Sequence, residues 1–359
     1  MNPTWESYLQ SRNAVIQDGR VVNYGNTATE LESMRSGTVL ADLSHFGLIH
    51  FLGDDAQPFL QGQVSCDVRA VNPSADGATA LYGSYCNPKG RMLASFLMWH
   101  DSGGYVMQLP SELRAAIQKR LSMYVLRAKL KLGDSSDTLV RFGLAGNHAA
   151  ELVRGVLGTV PCSPFDVIHA RPGSAICLER DRFELVMVPE AAPAMWEHLS
   201  MEARPVGAAC WDWLEIKAGI PVITAATQEQ FVPQMVNLEA IGGVSFQKGC
   251  YPGQEIVARA QYLGKIKRRM FLANIQPPPV SSAKLPAPVA SIAAGDELFS
   301  TDMGEQSSGM IVNAAPAPGG GFDVLAVIQT SSIEAGKISW KSLDGPPLGV
   351  MPLPYSVNN

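Results

Sequence analysis

The segment KGCYPGQE, residues 248–255, combines residue types that can make a cysteine reactive. Gly249 and Gly253 leave room beside Cys250 and let the backbone turn sharply. A proline follows, as in the first turn of many helices, so we expect a helix to begin just after the cysteine. The dipole at that helix start and the nearby Lys248 both favour the thiolate form. Cys250 could then act as a nucleophile, a metal ligand or a redox group, and the alternative is a small buried packing residue.

Two aromatic residues could form the wall of a pocket for a flat ligand. Trp211 begins an expected helix in ACWDWLEIKAGIPVI, residues 209–223, and Phe46 stands beside His45 at the mouth of an expected strand. Aromatic side chains at such positions either pack in the core or line ligand pockets. A single histidine is more often a satisfied polar group than a catalyst. The residues by themselves leave both roles open.

The elements that must position these residues are short strands alternating with single helices, which predicts an α+β fold with mainly antiparallel sheets. Strands are expected at 48–53, 91–99 and 105–110, and hairpins at 129–146, around Gly133 and Asp134, and at AICLER–FELVMVP, turning at Asp181. Helices are expected at 111–126, 147–158 and 190–201.

The composition changes after residue 274. The segment QPPPVSSAKLPAPVA, residues 276–290, is too rich in proline to run through a helix or a central strand. Short alternating runs with glycine-rich turns follow it. This pattern predicts a small all-β domain at the C-terminal side.

Motifs of several other activities are missing from the sequence. It has no Walker A loop, no GxGxxG segment and no HExxH segment, so nucleotide hydrolysis and dehydrogenase chemistry have little support. The six cysteines lie far apart, without a CxxC pair or zinc-type Cys/His spacing. We therefore predict no metal site, although ligands assembled from distant segments or from two chains remain an open alternative.

The overall charge argues against a chain-wide grip on nucleic acid or anionic lipid, because the formal net charge of the 359 residues is -5. The basic run Lys265, Lys267, Arg268 and Arg269 is expected to contact an anionic ligand tail or a partner. We predict no direct binding to bulk nucleic acid.

The beginning of the chain, MNPTWESYLQ, lacks the basic region and apolar stretch of a signal peptide. No sequence window has the length and apolarity of a membrane span. We therefore expect a cytoplasmic protein without membrane association, in which the cysteines are thiols.

The stretch FQKGCYPGQEIVARAQYLGKIKRR, residues 246–269, resembles the folate-binding YgfZ family, whose relatives include the glycine-cleavage aminomethyltransferase. Further segments resemble this family in the same order: FLQGQVSCDV (59–68), YCNPKGRMLASFLMW (85–99), WLEIKAGIPVI (213–223), QFVPQMVNLEAIGGVSF (230–246) and PLPYSVNN (352–359). The resemblance spans nearly the whole chain.

The resemblance implies an aminomethyltransferase-like, three-part clover arrangement, with two antiparallel-sheet α+β units and a C-terminal β-barrel. We expect the folate-binding region over 1–265 and the barrel over 266–359, with a proline-rich loop at 276–290. The implied cofactor is tetrahydrofolate or a folate derivative. The implied partners are iron–sulfur enzymes such as those that methylthiolate tRNA.

The resemblance also implies roles for single residues. Phe46 and Trp211 match the family's aromatic folate contacts. Cys250 matches the cysteine of the family motif, and Lys248 matches its lysine. We therefore expect Phe46 and Trp211 to bind the cofactor and Cys250 and Lys248 to carry the chemistry.

The chain departs from the aminomethyltransferases at two functional sites, and at one of them Lys217 stands where those enzymes carry a glutamate that contacts the pterin. Ala94 and Ser95 stand where those enzymes carry an aspartate pair, so a carboxylate that could stabilise a protonated amine is missing. The leading interpretation is a folate-binding accessory protein that supports iron–sulfur enzyme assembly or repair and tRNA modification. The alternatives are a one-carbon transferase with an unknown acceptor and an interaction scaffold with a vestigial folate pocket.

Overall fold

The structure is a computed structural model, and it describes residues 1–71, 77–101, 103–262, 266–276 and 291–357. Lys265 and almost all of the proline-rich segment 276–290 lie outside the described residues. The predicted boundary between 265 and 266 therefore stays a prediction.

The helices alternate with short strands as the sequence predicts. The described helices are α1 Pro3–Ser11, α2 Thr27–Ser33, α3 Ala56–Gln61, α4 Ser111–Ser122, α5 Ala149–Leu157, α6 Ala192–Leu199, α7 Ala208–Lys217, α8 Gln254–Tyr262 and α9 Thr330–Ala335. Among these described helices, none has both the length and the apolar character needed to cross a bilayer.

The strands up to α7 are β1 Val15–Gln17, β2 Arg20–Asn23, β3 Val39–Asp42, β4 Phe46–Leu52, β5 Gly77–Thr79, β6 Leu81–Cys86, β7 Met92–Asp101, β8 Gly104–Pro110, β9 Lys131–Asp134, β10 Val140–Ala145, β11 Asp166–Ala170, β12 Gly173–Glu179, β13 Arg182–Met187 and β14 Arg204–Val206. The later strands are β15 Arg268–Ile275, β16 Glu297–Ser300, β17 Ser307–Pro316, β18 Phe322–Gln329, β19 Ile338–Trp340 and β20 Leu348–Met351.

The strands form two large sheets and a C-terminal sheet, besides the small hairpin β1–β2. The larger sheet has the order β14-β3-β10-β13-β12-β11-β5 and is antiparallel except for the pair β14–β3. The smaller sheet, β6-β7-β8-β4-β9, is antiparallel. The C-terminal sheet, β19-β16-β17-β18-β15-β20, is a strongly curled antiparallel half-barrel. The predicted α+β fold class is confirmed.

The alternation of side chains along β13 shows that the larger sheet separates two hydrophobic cores. Phe183 and Leu185 pack against helices α1, α5 and α6 on one face. Val186 points to the other face, where it shares a core with Leu97 and Trp99 of the smaller sheet. Side chains of successive strand residues point to opposite faces, so this alternation follows directly from the sequence. The space between the two sheets is where the central cavity lies.

One predicted hairpin is wrong. In the segment 129–146, β9 pairs with β4 in the smaller sheet, whereas β10 pairs with β3 and β13 in the larger one. The residues between them cross from one sheet to the other, and the Ser135 amide donates to the Leu48 carbonyl on the way, at 3.3 Å. Alternation identifies a strand but not its partner, because pairing depends on distant segments. The hairpin that turns at Asp181 is confirmed.

Candidate functional site

A narrow inner pocket lies between the larger and the smaller sheet. Its polar lining includes Tyr82, Ser95, Gln108, Glu184 and Glu215. The remaining lining is apolar and includes Phe46 and Leu97. A mostly apolar cavity with a few convergent polar groups is the usual form of a small-molecule site.

Glu184 is the most unusual polar group of the inner pocket. Its Oε2 accepts a hydrogen bond from Gln108 Nε2 at 2.9 Å, while its Oε1 is buried without a hydrogen-bond partner among the described residues. Burial raises the pKa of the Glu184 carboxyl to about 7, although the Arg141 guanidinium opposes the rise. Arg141 itself is anchored to the Phe46 carbonyl at 2.8 Å. The pocket thus contains a desolvated carboxylate with free acceptor capacity.

Sequence reasoning missed Glu184, although a signal was present. In RFELVM the glutamate is flanked by apolar residues, at a position that the strand alternation places on a buried face. A carboxylate there is rare unless it has a partner or a function.

Glu215 on α7 is held in place by a buried ion pair. Arg182 Nη1 donates to Glu215 Oε1 at 2.9 Å. Burial raises the pKa of the Glu215 carboxyl, and the Arg182 charge opposes this rise. Arg182 also lies 5.7 Å from the centre of the Trp211 ring.

The structure separates the two aromatic residues that were predicted to bind the cofactor. Phe46 lines the inner pocket. Trp211 is fully buried in the core between the sheets and is not among the lining residues. An added Cβ at Gly143 would lie 2.3 Å from Trp211 Cζ3, so the indole lies directly against strand β10. The role of Trp211 in folate binding stays a prediction.

A second and larger chamber, the outer cleft, adjoins the inner pocket and has a volume of about 670 Å³. Hairpin β1–β2, the start of β4, helix α7 and strand β17 contribute to its lining. The two chambers share Phe46, Pro110, Glu215 and Val222, which form the neck between them. At the wall of the outer cleft, Arg20 is ion-paired with Asp212.

The motif loop, residues 248–253, does not contribute to the lining of the inner pocket. Lys248 is buried, and its Nζ donates to the Val64 and Cys66 carbonyls at 2.6 and 2.8 Å. The ammonium group also lies 5.3 Å from the centre of the Tyr251 ring, and burial lowers its pKa to about 8. Through these two hydrogen bonds, Lys248 holds the loop against residues 64–66, which follow α3.

Cys250 is exposed in this loop, four residues before α8 begins. Cys162 is also exposed, whereas the other cysteines are buried. Burial raises the pKa of Cys66, Cys86 and Cys210 to about 12. The cysteine of the motif is therefore accessible to a partner or reagent, in contrast to the buried thiols.

The two glycines beside Cys250 have different roles. Gly253 has a φ of +81°, and an added Cβ would lie 2.5 Å from the Asn87 carbonyl oxygen and 2.6 Å from Gly90 Cα. At Gly249 an added Cβ would meet no described atom within 4 Å. Gly253 thus permits the loop to pack against the turn at 87–90.

The structure does not bring the predicted site residues into one cluster. Neither Cys250 nor Lys248 is among the lining residues of the inner pocket or the outer cleft. Lys248 is connected to the pocket indirectly, since the Cys66 carbonyl accepts from its Nζ and Cys66 Sγ would lie 2.5 Å from a Cβ added to Gly83 in the pocket wall. Within the described ranges, no group of three or more His, Cys, Asp or Glu residues could hold a metal ion.

The basic run is also divided by the structure. Lys267 and Arg268 are exposed. Arg269 is buried, where it forms an ion pair with Glu239 and donates to the Gln234 carbonyl at 2.8 Å. Arg269 therefore serves the packing of the C-terminal sheet and is not part of an exposed basic surface.

The sheets, the central cavity and the half-barrel define an α+β protein of aminomethyltransferase-like fold. The structure of glycine cleavage system aminomethyltransferase T from Bartonella henselae aligns with a TM-score of 0.75, covering 99% of this chain and 97% of that chain at 16% identity. At this identity the similarity concerns the fold.

Sequence comparison gives the family. A family model described as the GCVT N-terminal domain matches residues 19–248. The tRNA-modifying protein YgfZ of Colwellia psychrerythraea (strain 34H) is 35% identical over 241 residues, which cover 67% of this chain and 72% of that protein. The chain therefore belongs to the GCVT family, as a homologue of the YgfZ proteins, and the resemblance seen in the sequence is confirmed.

Proposed function

We propose that this chain is a folate-binding accessory protein that supports tRNA modification through iron–sulfur enzymes. Its family and the name of its YgfZ relative support the link to tRNA modification. The folate and the iron–sulfur partners are the finer parts of the proposal. They rest on the inner pocket and on the exposed motif cysteine.

The observation that carries the folate proposal is the unpartnered Oε1 of Glu184. A pterin ring presents an N–H and an exocyclic amino group side by side, and two such donors fit one carboxylate. Binding would satisfy the buried acceptor that the described residues leave free. The hydrogen-bonding chemistry of the pocket lining therefore suits a pterin, with Glu184 as the polar anchor and Gln108 fixing its orientation.

Phe46 would supply the apolar wall for the pterin, since its ring lines the inner pocket. We further propose that Trp211 acts from behind this wall, by holding Arg182 and strand β10 in place. Arg182 in turn orients Glu215 at the neck. Bound tetrahydrofolate would supply a one-carbon carrier to this cavity.

Cys250 is the proposed functional thiol, and Lys248 is proposed to position it. The loop presents the thiol at the surface, while the lysine is engaged with backbone carbonyls. This arrangement suits contact with a protein partner better than chemistry inside the cavity. The accessory role is favoured over a transferase because Ala94 and Ser95 offer no carboxylate, and Ser95 Oγ accepts from the Ile223 amide at 2.9 Å.

The test is titration of tetrahydrofolate into the parent protein and the variant Glu184→Gln, followed by calorimetry. The titration is made at about pH 8.5, above the pKa of about 7 of the Glu184 carboxyl. There the variant keeps the size of the side chain but loses the charge that strengthens hydrogen bonds to the pterin. Charge-assisted bonds contribute about 1.5–3 kcal/mol, so the dissociation constant should rise by roughly 10–100-fold. Glu151→Gln is the matched control, because Glu151 is 76% exposed on α5. Equal affinity of the folded Glu184→Gln variant and the control would reject Glu184 as the anchor, and absence of binding to the parent would reject the folate proposal.

A further inference from the structure

The segment that runs from α4 to β9 is basic, in contrast to the protein as a whole. Residues 113–133 contain no aspartate or glutamate, whereas the formal net charge of the whole chain is -5. The basic residues of the segment are Arg114, Lys119, Arg120, Arg127, Lys129 and Lys131. Among them, the exposed side chains are Lys119, Arg127, Lys129 and Lys131. In the described part of the chain, none of these exposed side chains forms a salt bridge.

Large apolar side chains are exposed within the same segment. The exposed fraction is 62% for Met123, 46% for Tyr124 and 89% for Leu126. Turn hydrogen bonds fix the backbone here, such as the bond from the Ala128 amide to the Val125 carbonyl at 2.8 Å. Neighbouring apolar side chains that are exposed and rimmed by charges are typical of a protein interaction surface.

Leu126 is unfavourable both in conformation and in hydration. Its φ of +44° lies in the left-handed region, which glycine and asparagine adopt easily and a bulky residue adopts only at a cost. Because most of its side chain is exposed, burial does not offset this cost. Residues that the fold holds in such conformations concentrate at functional positions. Leu126 therefore points to a role in binding.

We propose that an acidic segment of a partner protein, with apolar side chains of its own, binds to this surface. Its carboxylates would meet the exposed cations, and its apolar side chains would cover the exposed apolar ones. Methionine, tyrosine and arginine are enriched in interfaces between proteins. The surface, called the α4 surface below, consists of Lys119, Met123, Tyr124, Leu126, Arg127, Lys129 and Lys131.

The apolar side chains favour a protein over a nucleic acid as the occupant. Met123 and Leu126 have no flat ring on which a base could stack, and a phosphate backbone offers no apolar surface to cover them. The net charge of -5 also opposes the approach of a long polyanion. An acidic protein segment supplies both kinds of contact over a short length.

The α4 surface is connected to the motif loop through β6. Arg120, near the end of α4, interacts with the hydroxyl of the buried Tyr85. Tyr85 pairs with Val64 in an isolated β-bridge, and the Val64 carbonyl accepts from Lys248 Nζ at 2.6 Å. To identify the partner as an iron–sulfur enzyme would rest on the proposed function, whereas the binding chemistry of the surface does not.

The probe is a fluorescein-labelled helical peptide of glutamate and leucine, in which leucine recurs at helical spacing. Its binding to the full chain is measured by fluorescence anisotropy at neutral pH and constant ionic strength. One control peptide has glutamine in place of leucine, and the other has lysine in place of glutamate. We expect both controls to bind at least tenfold more weakly. Absence of binding of the acidic leucine peptide, or equal binding of either control, would overturn the proposal.

The variant Leu126→Asn separates binding from folding. Asparagine adopts the left-handed region more easily than leucine, so the midpoint of urea unfolding should stay the same or rise. Affinity for the acidic leucine peptide should nevertheless fall at least threefold. Met201→Asn is the matched control, because Met201 is 70% exposed outside the segment, and this variant should bind like the parent. Parent-like affinity of folded Leu126→Asn would contradict the proposal.

Charge reversal tests the cations of the α4 surface. The double variant Arg127→Glu and Lys129→Glu should weaken binding of the acidic leucine peptide at least tenfold. The control, Arg154→Glu and Arg180→Glu, reverses two exposed arginines elsewhere in the chain and should bind like the parent. Equal weakening in both double variants would show that net charge alone governs binding, and it would overturn the proposal. Leu126→Asn keeps the test decisive if a charge-reversed variant does not fold.

Other occupants of the α4 surface give different results. Bulk tRNA that binds more tightly than the peptide, and is released by Arg127→Glu and Lys129→Glu, would reassign the surface to nucleic acid. A dimer of the parent that dissociates in Leu126→Asn, measured by analytical ultracentrifugation, would reassign it to a second copy of this chain. Tetrahydrofolate should bind Leu126→Asn like the parent. Peptide binding by a parent that does not bind tetrahydrofolate would therefore reject the folate proposal and leave the α4 surface standing.

Discussion

Replacing Gly253 by alanine is expected to detach the motif loop from the turn at 87–90. The φ of +81° at Gly253 is in the left-handed region, where an L-residue costs about 1–2 kcal/mol. The added Cβ would also lie 2.5–2.7 Å from the Asn87 carbonyl oxygen and the Gly90 backbone. Since these are backbone atoms, they cannot move away as a flexible side chain would, and overpacking of this kind costs about 1–3 kcal/mol. The expected loss is therefore about 2–5 kcal/mol.

Gly249→Ala is the matched control, because it lies in the same loop and its added Cβ meets no described atom within 4 Å. Urea unfolding of the two variants gives the difference in the free energy of unfolding. If only the loop opens, the loss appears instead as faster tryptic cleavage after Lys248, which is buried in the parent. The reasoning is refuted if Gly253→Ala matches Gly249→Ala both in unfolding midpoint and in cleavage rate.

Three further predictions concern the thiols, the core and pH. Cys250 and Cys162 should be alkylated faster than the buried cysteines at neutral pH. The variant Cys162→Ala should therefore keep a single rapidly alkylated thiol, Cys250. Slow alkylation of Cys250 in that variant would make it a packing residue. Trp211→Ala should destabilise the fold by about 3–5 kcal/mol and weaken tetrahydrofolate binding, whereas unchanged affinity in a folded variant would return Trp211 to a purely structural role. Burial lowers the pKa of His100 and His169 below the ordinary value of 6.5. On acidification the unfolded chain therefore binds protons at these histidines at a higher pH than the folded chain does, and the free energy of unfolding should fall below about pH 6.5. Urea unfolding at pH 7 and 5 should show a smaller loss for His100→Gln than for the parent, and an equal loss would exclude this contribution.

The central cavity could not be predicted from local sequence patterns, because it is formed by segments that are distant in the sequence. Glu184 stands in an apolar strand like any tolerated polar residue, and only the position of β13 opposite the smaller sheet places it in the pocket with an Oε1 that has no hydrogen-bond partner among the described residues. The proximity of His45 to Asp212 joins positions 167 residues apart in the numbering of the chain, at 3.5 Å. Contacts of this range depend on how the sheets pack, which sequence periodicity does not specify.

The sequence by itself indicated many of the strands and helices, among them α4, α5 and α6, and it also indicated the α+β class, the motif cysteine and the family, because alternation, turn residues and short motifs are local properties. It did not determine that β9 and β10 belong to different sheets, since the same alternation suits either partner. Nor did it indicate that Lys248 is bound to the Val64 and Cys66 carbonyls. Because Lys248 is close to Cys250 in the sequence, it was expected to activate the thiol. A buried ammonium group must have hydrogen-bond acceptors, however. In the folded chain these acceptors belong to a segment more than 180 residues away.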